Sequence, residues 1–222
     1  MATVETLTLG RGIYGLSEAS YLLGIDERTI ARWSRRTPSG KEALVAPSHG
    51  FAFSFHDLLS LAVIAVFRQR NITPDGIRRA IVYLQDEFET SRPLANKGVV
   101  DALQTAGGGS VLLGPGIDVT RSGQMAILQT VQAYLRPISY GADRLARLWK
   151  PARYVLLNPE IQAGRPCIPG TRVTTDVVAG RVNQGELPDE VARDLQLRVD
   201  QVRAAERWES ELERGKGLAL VA

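Results

Sequence analysis

Cysteine and histidine are almost absent: the 222 residues hold one cysteine and two histidines. A single thiol, Cys167, cannot close an internal disulfide and fits a reducing compartment. It lies in a proline-flanked turn, and His49 and His56 have neither the spacing of metal ligands nor a nucleophile beside them. No metal, no cofactor and no enzymatic activity are therefore expected. Charge of one sign is not in excess either, with 27 Lys and Arg against 24 Asp and Glu and a formal net charge of +3. A polyanionic partner must then be met by local clusters and not by the total field. Long apolar runs are missing as well. The longest, LAVIAVF from Leu61 to Phe67, is too short to cross a bilayer and fits a buried helix. The opening MATVETLTLGRG lacks the basic start and apolar core of a signal peptide, so a cytoplasmic protein with no membrane partner is expected. No sustained heptad follows Phe88, which leaves no long coiled coil.

With 44% hydrophobic residues the chain can build real cores, and its length suits two domains. The stretch Tyr14 to Arg36, YGLSEASYLLGIDERTIARWSRR, organises the first. Ser17 is placed to cap a helix whose Ala19, Leu22 and Leu23 share a face. Gly24 ends that helix, and Asp26 caps a second in which Ile30 and Trp33 point inward. Arg28, Thr29, Arg32, Arg35 and Arg36 are left for the outer faces. From Arg28 to Lys41 there are five cations and no carboxylate. Ser20, Gly24 and Ile30 have the sizes and spacing of two helices crossing around a tight turn, a helix-turn-helix. The cationic outer face points to DNA.

The segments ALVA and FAFSF, either side of Pro47 to Gly50, read as a β-hairpin wing between Leu44 and Phe55. Asp57 is expected to cap a helix from Leu58 to Arg70, and Thr73 with Pro74 to open another, ending near Phe88. This order, with the motif above, resembles the MerR-like winged helix-turn-helix family over residues 14–88. The resemblance implies a DNA-reading head but not that family's coiled-coil dimer.

Beyond it, SRPLANKG is a connector and VVDALQ a short apolar element, while GGGSVLLGPGIDVT reads as two short strands with tight turns. Those glycines lack the Lys-Ser or Lys-Thr of a phosphate loop, and no helix opens directly behind them. A helix is expected from Arg121 or Ser122 to Leu135, with Met125, Leu128, Val131, Gln132 and Leu135 on one face. YGADRLARLWKPARY reads as a short helix ended by Pro151, and its Arg144, Arg147, Lys150 and Arg153 suit a solvated face or a phosphate contact.

In the last third, Gly164, Pro166, Pro169 and Gly170 hold Cys167 and Ile168 in a compact turn. Helices follow at Thr175–Gln184 and Pro188–Leu195, with Gly185 capping the first. A last helix is capped by Asp200 and carries Val202, Ala205 and Trp208 on its apolar stripe. GRPCIPGTR, matched at Gly164, Arg165, Pro166, Ile168, Gly170, Thr171 and Arg172, and the following GELPDEVARDL resemble a prokaryotic family of small antitoxin-like domains with the motif GRPxIxGTR. Leu195 stands where that family commonly has an aromatic. With the MerR-like head, the whole chain resembles the VapB antitoxins of Vap-type toxin–antitoxin pairs.

The expected fold is mainly α with a small β component: a winged helix-turn-helix and a C-terminal three-helix, helix-turn-helix-like domain. The divisions are an arm (1–13), the head (14–88), a connecting region (89–153), the C-terminal domain (154–213) and a flexible tail (214–222). The arm alternates as an edge strand would, or is mobile. The resemblance implies a homodimer that binds operator DNA, represses its own operon and neutralises a PIN-domain ribonuclease toxin. In that reading Arg28, Thr29 and Arg32 enter a major groove, and Arg35, Arg36, Lys41 and the wing hold phosphates. Arg207, Trp208, Arg214 and Lys216, with Leu218 and the apolar end behind it, face the toxin. Two other readings stay open: an interaction adaptor that binds no DNA, and a ligand-responsive regulator with its pocket in residues 89–150.

Overall fold

The computed structural model describes residues 12–69, 71–99 and 137–217. Four helices open the described chain: α1 (Leu16–Leu23), α2 (Glu27–Trp33), α3 (Phe55–Gln69) and α4 (Pro74–Glu87). A 3-10 turn at Pro93–Ala95 follows. After it come the strands β1 (Ile138–Tyr140), β2 (Ala146–Ala152) and β3 (Val155–Leu157), and then α5 (Thr175–Asn183), α6 (Pro188–Asp194) and α7 (Val199–Glu213). The described part is thus mainly helical, with one three-stranded antiparallel sheet in the order β1-β2-β3. The expected VVDALQ element (apart from Val99), the two glycine-bounded strands and the helix near 121–135 lie outside the described residues.

Local chemistry explains where the helices begin and end. Gly24 adopts φ 66° and donates its N–H to the Ser20 carbonyl, stopping α1. The Asp26 carboxylate accepts the Thr29 N–H and starts α2. Thr73 does the same for α4, accepting the Gly76 N–H at 3.1 Å with Pro74 at the first helical position. Three predicted caps are corrected. Gly15, not Ser17, precedes α1, with no side-chain cap. The third helix begins at Phe55, because Ser54 and Asp57 cap it reciprocally: the Asp57 N–H donates to the Ser54 hydroxyl and the Ser54 N–H to the Asp57 carboxylate. Arg198, not Asp200, precedes α7, with Gln201 reaching back to the Arg198 N–H.

The predicted hairpin wing does not form as a ladder. The N–H groups of Leu44 and Val45 donate to the Trp33 carbonyl and so are not free to pair with 51–55. Phe53 instead exchanges backbone hydrogen bonds with Tyr14, and Phe55 belongs to α3. What remains is a tight turn in which His49 bridges Ala52 and Phe51 stands 97% exposed at the tip. The segment read as a helix ended by Pro151 is β1, β2 and the turn between them. Pro151 fits there because the β2–β3 register shifts between Trp149 and Ala152.

The main core takes residues from both ends of the chain. Leu22, Leu23, Ile30, the apolar side of α3, Trp149, Leu157, Trp208 and Leu212 form one cluster. A smaller core of Ile168, Val178, Val191, Val202 and Ala205 fills the C-terminal unit. The two units are also stitched by polar contacts. The Tyr14 hydroxyl donates to the Gly164 carbonyl at 2.8 Å, and the Ile13 N–H to Ala163 at 2.9 Å. Among the described residues no helix is long and apolar enough to cross a membrane.

Candidate nucleic-acid interface

α2 is held rigidly so that one side of it can face outward. Ile30 is fully buried and Trp33 nearly so, and α1 crosses behind them. The Ser20 hydroxyl donates to the Ile25 carbonyl across the tight turn and fixes the crossing. Hydrogen bonding from Thr29 holds the Asp26 carboxyl below its ordinary pKa, which favours the ionised form that caps the helix.

On the outer side Arg28, Arg32, Arg35 and Arg36 are exposed and Thr29 is half-buried. They do not stand alike. Arg28 and Arg35 have no ion-pair partner among the described residues. Arg32 donates to the Thr29 hydroxyl at 3.3 Å, which orients both side chains along the same helix. Arg36 is bound to Glu42, and Lys41 lies 2.5 Å from Asp75. The predicted base-reading set of Arg28, Thr29 and Arg32 is thus brought together. Of the predicted phosphate-holding set, Arg36 and Lys41 begin with carboxylate partners that a nucleic acid would have to displace.

Two grooves run along this side. One of about 690 Å³ is lined by Arg28, Arg32, Arg35 and Arg36. Another of about 510 Å³ lies between Arg32, Lys41, Arg68 and Arg78 at the start of α4. Arg32 borders both, so the two grooves adjoin, with Glu27 lining the first and Asp75, paired with Lys41 and Arg78, lining the second. Arg68 and Arg78 escaped the sequence reading. The available signal was Arg78 and Arg79, two cations early in a helix, where carboxylates are normally favoured.

The cations assigned to a protein partner sit at the other end of the chain. Arg207 is exposed on α7 one turn after Arg203, Arg214 is exposed at the helix C-cap, and Lys216 is exposed just beyond it. Trp208 faces the opposite way. It is 6% exposed and belongs to the main core, with its indole N–H buried and unpartnered among the described residues. Leu218 lies outside the described residues.

GRPCIPGTR proves to be a structural connector from β3 to α5. A Cβ on Gly164, which has φ 94°, would stand 2.2 Å from the Tyr14 hydroxyl oxygen. Arg165 pairs with Asp176 at 2.5 Å, and the Pro166 carbonyl accepts the Thr175 N–H at 3.0 Å. Cys167 is buried and exchanges two backbone hydrogen bonds with Leu156, each of 2.9 Å. The Thr171 hydroxyl donates to the Ile168 carbonyl, closing the turn. Arg181 then ties α5 to both ends of α6 through Glu186 and Asp194. Those carboxylates raise its pKa, and Arg181 in turn holds Glu186 below the ordinary carboxylate value.

Against known proteins, the family described as a protein of unknown function, DUF433, matches residues 155–207, from β3 into α7. A Mycobacterium tuberculosis protein named "Putative antitoxin VapB45" is 28% identical over 219 residues, an alignment covering 87% of this chain and 92% of that protein. The uncharacterized protein Rv2308 of the same organism is 25% identical over 218 residues, covering 90% of this chain and 91% of its own length. The crystal structure of Rv2018 from Mycobacterium tuberculosis superposes with a TM-score of 0.64 at 22% identity, covering 86% of this chain and 95% of that one. The last likeness is one of fold.

Proposed function

We propose that this chain is an antitoxin of a type II toxin–antitoxin pair, which binds operator DNA as a homodimer to represses its own operon and neutralises a PIN-domain ribonuclease. The observation that carries the DNA half is the placement of Arg28, Thr29 and Arg32 on the outward side of a helix locked from behind. Arginine bonds the guanine edge bidentately in the major groove, and one such helix reads too few base pairs alone, hence the dimer. Arg35, with Lys41 and Arg36 once released from their carboxylates, and Arg68 and Arg78 beyond, supply phosphate contacts. The antitoxin half is supported by the similarity along most of the chain to a protein carrying that name. Its contact with the toxin is assigned to Arg207, Arg214 and Lys216, cations suited to an acidic, metal-binding nuclease pocket, with Leu218 as an apolar anchor. Trp208 supports that surface from within the core.

Titration of a duplex from the gene's own upstream region over a salt series tests the first half. The expected result is an affinity that falls steeply with salt, each phosphate contact contributing about −0.9 to the log–log slope. Absence of binding at low salt, alone and with the neighbouring gene's product, overturns it. Co-expression with an adjacent PIN-domain ribonuclease tests the second half: the wild type relieves growth arrest and Arg207→Glu/Arg214→Glu does not. Relief by neither overturns the neutralising role.

A further inference from the structure

Among the described residues, the outward side of α4 has no partner element. Arg79, Val82 and Asp86 recur at helical spacing along one exposed stripe, and Val82 is 55% exposed although it sits at the middle of a helix. Beside it a groove of about 810 Å³ is floored by Ile81, Val45 and Leu94.

The charges along this stripe are segregated. Toward the start of α4, Lys41 and Arg78 outnumber the Asp75 they share, and Arg79 has no ion-pair partner among the described residues. Toward the end, Asp86, Glu87 and Glu89 are exposed and equally without partners among the described residues. The last turn of α4 carries no base. Carboxylates at a helix C-terminus oppose the macrodipole, so the helix alone gains nothing from this order. A second α4 laid antiparallel does. Arg79 and Asp86 lie about 10 Å apart along the axis, to either side of Val82. A two-fold axis beside Val82 therefore sets each Arg79 against the partner's Asp86, and the two Val82 side chains against each other.

We propose that two copies of this chain associate through α4, antiparallel across a two-fold axis at Val82, with the 810 Å³ groove receiving the edge of the partner helix. The contact is isologous, so one patch serves both copies. It rests on the reading above only for the need of a second DNA-binding head; the surface argument is independent of DNA.

Light scattering and sedimentation of the full chain test it, using Arg79→Glu, Asp86→Arg, their equimolar mixture and the double variant on one chain. The wild type is expected to run as a dimer. Each single swap juxtaposes like charges twice and is expected to weaken association by about tenfold or more. The mixture regains the dimer mass, because every cross-pair is again opposite in sign, and so does the double variant. A monomeric wild type, or single swaps that associate as tightly as wild type, overturns the proposal. Recovery of dimer in the mixture excludes misfolding as the cause of loss. A dimer that the swaps dissociate but that binds no upstream duplex supports this interface and removes the DNA reading. A monomeric wild type that binds the duplex does the reverse.

Discussion

Glu209 is a carboxylate with little access to water and, among the described residues, no ion-pair partner. Burial pushes its pKa up, and the Thr175 hydroxyl and the 2.9 Å hydrogen bond from the Tyr21 hydroxyl pull it down without cancelling the rise; Asp176 and Glu213 add to it. The folded chain therefore holds this proton more tightly than the unfolded chain does. Stability from the site is full below the ordinary carboxylate pKa and is lost as pH rises through the raised value. Glu209→Gln keeps the shape and removes the charge. It is expected to raise Tm at pH 7 and to change it little near pH 4; a lowered Tm at pH 7 would show that the ionised carboxylate is the stabilising form. The same scale explains Gly164, the first residue of GRPCIPGTR. Gly164→Ala meets both an unfavourable φ of 94° and the buried Tyr14 ring, and a loss of about 1–3 kcal/mol in denaturant unfolding is expected. A neutral result would mean that Tyr14 does not hold its place. Gly217 has a similar reason to be glycine, because a Cβ there would come within 2.0 Å of the Gly24 backbone nitrogen.

Among elements, those legible in the sequence were the ones whose ends are fixed by neighbouring residues. Asp26, Thr73 and Gly24 act on amides or carbonyls within four residues of themselves, and α1, α2 and α4 were placed accordingly. β2 was misread because its buried residues, Ala146 and Trp149, are spaced three apart, as on a helix. A register shift in the β1–β2 ladder, where Ser139 pairs with Leu148 but Tyr140 with Ala146, produces that spacing in place of a 3.6-residue turn, and it depends on β1, a partner strand that no local signal reveals. The wing failed for a related reason: the Trp33 carbonyl claims the Leu44 N–H at 2.7 Å, a contact between separate elements. Of the candidate interface, the exposed set on α2 was legible from periodicity, whereas the carboxylates that occupy Arg36 and Lys41 were not: Asp75 lies far along the chain, and Glu42 reaches Arg36 only through the fold of the loop after α2. Trp149→Ala in the middle strand is expected to cost about 3–5 kcal/mol, measured by urea unfolding. A cost under about 1 kcal/mol would mean that the sheet is not part of the main core.

At the scale of the molecule, Trp208 and Leu212 of α7 share the main core with residues of α1, α2 and α3, so α7 supports the helices that carry the exposed arginines. A partner that grips the outer side of α7 therefore touches an element continuous with the support of α2. Under the function proposed above, this offers a physical route by which toxin binding would alter operator affinity, with α7 as the shared element. The central claim is that sequence is read by the outward side of α2. Its most direct test is the ratio of affinities for the upstream duplex and a scrambled one of equal length, for wild type and for Arg28→Ala/Arg32→Ala, at one salt concentration. The expected ratio is well above one for the wild type and collapses toward one in the variant, with residual binding to both duplexes and an unchanged circular dichroism spectrum. A variant that keeps the wild-type ratio would contradict the claim.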